Sequence, residues 1–301
     1  MKSLGRVLTA MITPFDAAGA VDVDEAVRIA EYLVANGNDG VVVSGTTGES
    51  PALEDDEKLA LFTAIKKRLG KHGTVIAGTG SNNTRHSVEL TKRAAQTGVD
   101  AILAVVPYYN KPTQDGMLEH FGAIAQAAPI PVVLYNVPSR TGQNLAPATV
   151  HELARRHSNI VGIKESTGSV EQFSALIAKN PRPNDFTVSC GDDYFYLPAL
   201  ALGAYGLVSV AAHVCGPRLR AMVEAWDRGD TASAGAIHRE LQPLFSALFA
   251  TTSPIPVKWA MERFGFNTGV CRSPLGAMPP ELITPLEGLI APYRPVVRAG
   301  A

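Results

Sequence analysis

The chain has 301 residues, 27 lysines and arginines, 28 aspartates and glutamates, and a formal net charge of -1. That balance excludes a nucleic-acid binder held by bulk positive charge. The 46% hydrophobic content excludes disorder. Three widely spaced cysteines, Cys190, Cys215 and Cys271, argue against a disulfide framework or a cysteine zinc site, and a reducing, cytoplasmic setting is expected. Met1 to Arg6 has no apolar core of a secretory signal.

Short apolar runs recur at Val7–Thr13, Gly40–Ser44, Thr74–Gly78, Ala101–Val106, Pro131–Asn136, Ile160–Ile163, Phe186–Ser189 and Gly206–Val210. Continuous rather than alternating hydrophobicity suits strands buried on both faces. Amphipathic helical segments fall between them. Asp24–Asn36 carries Ala26, Ile29, Ala30 and Leu33 at helical spacing and stops at Gly37. Glu54–Leu69 ends at Gly70, and Thr84–Thr97 starts on a capping residue and ends at Gly98. Similar segments cover Gln114–Ala127, Ala148–Arg156, Val170–Lys179, Tyr194–Leu202 and Pro217–Asp227. Tyr194 to Pro217 holds no charged residue, but Pro198, Gly203, Gly206 and Gly216 interrupt it, so it reads as helix, turn and buried strand rather than a membrane span.

One strand–helix unit therefore recurs every 20 to 34 residues, eight in all. Strict alternation demands right-handed crossovers and a parallel sheet, and eight units is the count of an α/β (β/α)8 TIM barrel. A doubly wound open sheet is the alternative. It usually carries a phosphate loop, and neither Gly78–Asn83 nor Gly45–Ser50 has the required glycines or lysine. The barrel is expected over 1–229. A C-terminal helical extension over 230–301 is expected to hold helices at Thr231–Ala250, Ile255–Phe264 and Pro280–Ile290, then a loosely ordered proline-rich tail with Pro285, Pro292 and Pro295.

Barrel chemistry sits at the C-terminal strand ends. There Lys164 directly follows the apolar Ile160-Val161-Gly162-Ile163. Removing an ammonium from water favours the neutral amine, the nucleophile of Schiff-base chemistry. The competing reading is a salt bridge to Glu165 or a side chain that snorkels to solvent. Thr46 and Thr47, between glycines, offer hydroxyls and N–H groups that suit a small carboxylate, or simply form a turn. Tyr135 and Tyr109 can shuttle protons or merely pack. Arg140 can clamp a carboxylate or lie on the surface. Two patterns carry no metal site. His151 and His157 are six residues apart, about 240° around a helix, and cannot chelate together. Asp192-Asp193 lacks a third ligand, and capping explains one of the pair.

Four motifs in combination resemble a known family: Gly45-Thr46-Thr47-Gly48-Glu49-Ser50, Pro107-Tyr108-Tyr109-Asn110-Lys111-Pro112, Tyr135-Asn136-Val137-Pro138-Ser139-Arg140-Thr141-Gly142, and Gly162-Ile163-Lys164-Glu165-Ser166. The chain is similar to the dihydrodipicolinate synthase and N-acetylneuraminate lyase superfamily of class I aldolases, and most similar to its dihydrodipicolinate synthase branch. The resemblance implies that Lys164 forms a Schiff base with pyruvate and that the enamine condenses with L-aspartate 4-semialdehyde. It implies that Thr46 and Thr47 hold the pyruvate carboxylate, with Gly191 and Val208 lining the pyruvate end. It further implies a proton relay of Tyr135, Thr46 and Tyr109, in which Thr46 hydrogen-bonds Tyr135 and Tyr109 comes from a neighbouring subunit. Arg140 is implied to bind the carboxylate of the second substrate. No cofactor or metal is implied, and a homotetramer built as a dimer of dimers is.

The resemblance also places an allosteric lysine site near Ser50, Asn82, His86 and Tyr108. Here Asp55, Lys58 and His86 stand where strongly inhibited relatives carry histidines and an acid, which implies weak or absent lysine feedback. Two other readings stay open: an aldolase for 2-keto-3-deoxy sugar acids or N-acetylneuraminate, and a non-catalytic keto-acid-binding barrel.

Overall fold

The computed structural model describes residues 4–295. The first three residues, part of the segment read for a secretory signal, and the tail from 296 onward lie outside the described residues. Eight parallel strands close into a barrel in chain order: β1 (Val7–Ala10), β2 (Gly40–Val43), β3 (Thr74–Gly78), β4 (Ala101–Val105), β5 (Val132–Asn136), β6 (Ile160–Glu165), β7 (Thr187–Cys190) and β8 (Gly206–Ser209), with β8 pairing back onto β1. This is the expected (β/α)8 TIM barrel. Closure leaves no free sheet edge.

Strand alternation sorts the core into two layers. Leu8, Val42, Ile76, Leu103, Val133 and Val208 fill the barrel interior. Val7, Val41, Val75, Ile102, Val132 and Ile163 face outward against the helices. The β5–β6 register shifts between Val132 and Val133, where β6 carries an extra residue.

The outer ring comprises α1 (Val23–Ala35), α2 (Asp55–Leu69), α3 (Thr84–Gln96), α4 (Gln114–Ala127), the one-turn α5 (Pro138–Thr141), α6 (Pro147–Arg156), α7 (Val170–Ala178), α8 (Tyr196–Ala201) and α9 (Ala212–Asp227). Side-chain caps start several of them: Asp22 accepts from Glu25 N, Thr113 from Gly116 N and Ser169 from Gln172 N. The cap of α3 is Asn83 rather than the expected Thr84, because it is the Asn83 Oδ1 that accepts from His86 N at 3.1 Å. Helix α9 begins five residues before the expected Pro217 and breaks at Cys215 (φ -119°, ψ 30°). Proline has no N–H to continue the ladder, so the turn before it is a separate piece.

Three helices follow: α10 (Thr231–Ala247), α11 (Ile255–Arg263) and α12 (Pro280–Ile290). They pack against the barrel, α10 on α9 and α12 on α10. Pro285 lies within α12 and Pro292 in a 3-10 turn at Ala291–Tyr293. Among the described residues no helix is long and apolar enough to cross a membrane.

Candidate active site

The loop after β2 is a tight turn. Gly48 N and Ser50 N donate to Gly45 O, and Glu49 N donates to Thr46 O at 3.1 Å. Ser44 (φ 55°) and Glu49 (φ 56°) hold left-handed backbone at its two ends. The other non-glycine residues with positive φ among the described residues, Tyr109 and Lys111, lie in the loop after β4. Strained backbone of this kind concentrates at functional sites. The turn delivers Thr46 and Thr47 to a cavity of about 400 Å³, lined also by Tyr135, Arg140, Lys164 and Gly191. Six of the expected site residues thus meet, drawn from the loops after β2, β5 and β7 and from the strands β5 and β6.

Tyr135 and Lys164 are paired in register across β5 and β6, and both face the barrel interior. Lys164 Nζ lies 4.3 Å from the Tyr135 ring centroid. Glu165 is the next residue along and must therefore face the other side of the sheet. It is fully buried there and accepts from Asn136 Nδ2, Gln172 Nε2 and Thr167 N. Burial raises the pKa of its carboxyl against the pull of those donors. The salt bridge between Lys164 and Glu165 weighed from the sequence is therefore excluded by strand geometry. Three lysines are buried among the described residues: Lys58, Lys164 and Lys258. Lys58 lies 3.9 Å from Asp55 and Lys258 lies 2.9 Å from Glu49. Lys164 alone has no carboxylate partner, and its exposure of 5% also removes the snorkelling alternative.

Gly191 leaves room for the Lys164 stem. A Cβ at that position would stand 2.6 Å from Lys164 Cε and 2.1 Å from Ser166 Oγ. Asp193, fully buried, accepts from Val210 N and Ala211 N at 3.0 Å and from the Ser209 hydroxyl. It ties the β7 loop to the end of β8. Asp192 accepts from Tyr194 N and Phe195 N in the turn that leads to α8. Both aspartates are thus held by backbone and hydroxyl donors. Among the described residues no group of three metal-ligating side chains exists.

The structure places other expected residues elsewhere. Tyr109 is 89% exposed and lies outside the cavity of its own chain. Val208 sits lower in the barrel interior, and Val210 lines the cavity instead. Thr46 and Tyr135 share the cavity with no hydrogen bond between them in the single chain. A second cavity of about 230 Å³ adjoins the first through Thr46, Tyr135, Val137 and Arg140, and reaches Ser44 and Tyr108. Ser50, Asn82, His86 and Tyr108 do come together, in a cleft of about 600 Å³ that shares Ser50, Pro51, Gly80 and Tyr108 with the second cavity. There His86 Nε2 lies 2.9 Å from Asp55 Oδ2, so a carboxylate of α2 faces the histidine of α3. Desolvation lowers the pKa of Lys58 in the same cleft.

The family described as the dihydrodipicolinate synthetase family matches residues 3–290. The chain belongs to the dihydrodipicolinate synthetase family. It is 51% identical over 271 residues to the 4-hydroxy-tetrahydrodipicolinate synthase of Moorella thermoacetica, covering 90% of this chain and 92% of that protein. The enzyme of the same name from Synechocystis sp. is 54% identical over 277 residues, covering 92% of this chain and 91% of the relative. Among solved structures, a dihydrodipicolinate synthase from Bacillus anthracis superposes with a TM-score of 0.93 at 43% identity, covering 97% of this chain and 99% of that one. The Cyanidioschyzon merolae protein, solved with lysine bound, also has a TM-score of 0.93 at 43% identity, with coverage of 96% and 97%.

In this dihydrodipicolinate synthetase family member, the sequence assigned no role to several residues that line the cavity. Ser166 lines the cavity with its Oγ buried and without a hydrogen-bond partner. Phe245 and Ser246 of α10, with Phe249 and Ser253 beyond it, form the outer wall. No local pattern marked them, since α10 reads as an ordinary amphipathic helix. The three cysteines are buried, and desolvation pushes their thiols up, which makes them poor nucleophiles.

Proposed function

We propose that this chain condenses pyruvate with L-aspartate 4-semialdehyde to give 4-hydroxy-tetrahydrodipicolinate. The observation that carries the reading is Lys164: a buried amine in the cavity, without a carboxylate partner, beside a phenol and facing two threonines. Its Nζ adds to the pyruvate ketone, and water leaves as the Schiff base forms. Loss of a methyl proton gives the enamine. The enamine carbon attacks the aldehyde, whose oxygen takes a proton and becomes the hydroxyl. The amino group of the second substrate then displaces Lys164 from the former ketone carbon and closes the ring. Thr46 and Thr47 hold the pyruvate carboxylate, and Tyr135 moves the protons.

Tyr109 of a second copy completes the relay by entering the smaller cavity behind Tyr135 and Thr46. An aromatic ring that is 89% exposed on left-handed backbone suits such an insertion. A dimer is then the smallest complete unit, and a dimer of dimers fits the same reading.

Arg140 is exposed at the mouth and lines both cavities. It is placed to fork onto the carboxylate of the aldehyde substrate. The test is a panel of aldehydes: aspartate semialdehyde is expected to react, and N-acetylmannosamine and glyceraldehyde are not. Preference for either sugar aldehyde would replace this reading with a sugar-acid aldolase. In Arg140→Ala, kcat/KM for aspartate semialdehyde is expected to fall roughly 10- to 100-fold, the scale of a lost charged hydrogen bond, with the pyruvate KM unchanged. Gly191→Ala forces a methyl group against the Lys164 stem, and a misplacement near 1 Å costs roughly 100-fold in rate. Steady-state kcat of that variant measures the effect.

A further inference from the structure

We infer that the buried Glu49–Lys258 ion pair is a positioning device for the Thr46–Thr47 turn, by which the C-terminal helices set the affinity for the keto acid. The inference rests on the proposed function above. Glu49 closes the turn. Its N–H holds the Thr46 carbonyl, and its backbone is left-handed, a conformation that a residue with a Cβ adopts only when its surroundings impose it. Its carboxylate supplies the constraint. One oxygen accepts from Lys258 Nζ of α11 at 2.9 Å, and the other from Arg272 N at 2.8 Å. The two side chains are 3% and 1% exposed.

The surrounding contacts make the clamp rigid. Lys258 Nζ lies 4.2 Å from the Phe15 ring centroid, and the Arg272 guanidinium lies 4.5 Å from the same ring. Thr13 Oγ1 donates to the Gly48 carbonyl at 2.8 Å inside the turn. Arg272 also holds the segment just beyond the turn, through the Ala52 carbonyl and both oxygens of Glu57. A buried ion pair is a poor source of stability compared with an apolar pair of similar size. What it does supply is direction: the Lys258 ammonium and the Arg272 N–H, with the Cys271 thiol also bonded to Glu49, leave the carboxylate, and hence the Glu49 backbone, one place to be. Neither residue lines the cavity, so their effect passes through Thr46 and Thr47.

The test measures pyruvate KM, aldehyde KM and the pyruvate concentration that gives half-maximal borohydride trapping. The proteins are the parent, Glu49→Gln, Lys258→Met and the double variant. Each single variant is expected to raise both pyruvate readouts at least tenfold and to leave the aldehyde KM within about twofold. The double variant leaves no unpaired buried charge and keeps an acceptor for Arg272 N. It is expected to sit between the parent and Glu49→Gln, at least threefold above the parent. A lower melting temperature with pyruvate KM and trapping within twofold of the parent overturns the inference and reduces the pair to a structural role. Should a single variant fail to fold, the double variant decides by the same threshold. A parent protein that traps no pyruvate fails the proposed function itself, a result distinct from both.

Discussion

Lys164→Met is expected to abolish turnover, a loss of roughly a million-fold, the scale on which deleting a covalent nucleophile acts. Methionine keeps the unbranched stem and fills the same space beside Tyr135. The substitution also removes a buried polar head that has no carboxylate partner, so the melting temperature is expected to hold or rise. Lys258→Met is the contrast: it strands Glu49 in the interior and is expected to destabilise by about 3–5 kcal/mol. Loss of turnover without loss of stability at position 164, and loss of stability with a raised pyruvate KM at position 258, separate a reactive lysine from a positioning one. Comparable turnover in Lys164→Met and the parent would remove the lysine from the chemistry.

Tyr135→Phe is expected to lower kcat by roughly 10²–10⁴, the usual contribution of a positioned acid or base. Phenylalanine preserves the ring that packs 4.3 Å from Lys164 Nζ, so only the hydroxyl is lost. Thr46→Val is expected to act in the same direction, because both side chains line the wall shared by the two cavities. Steady-state kcat at saturating pyruvate checks both, and near-normal turnover in both variants would mean that the relay runs through other groups.

How much of this was legible in the sequence depends on the range of the interaction that decides each feature. The eight strands and the helices between them follow from local apolar periodicity and stop signals. Lys164 stood out because a charge directly after an apolar strand contradicts its surroundings. Its environment was open, and strand alternation resolved it by turning Glu165 outward to Asn136 and Gln172. The role of Glu49 was invisible, since its partner Lys258 lies 209 residues away. Phe245 and Phe249 were missed for the same reason: they reach the cavity only through the packing of α10 on α9 and the barrel mouth. Val210, just past the end of β8, lines the cavity where the sequence pointed to Val208 within the strand. The resemblance put Asp55 and His86 in one region, but their direct contact needed the meeting of α2 and α3, which no spacing within either helix encodes.

The most direct test of the central claim is borohydride reduction in the presence of pyruvate, followed by peptide mapping by mass spectrometry. A single reduced pyruvyl adduct on Lys164, absent from Lys164→Met, is the expected result. No adduct, or an adduct on Lys58 or Lys258 in its place, would contradict it.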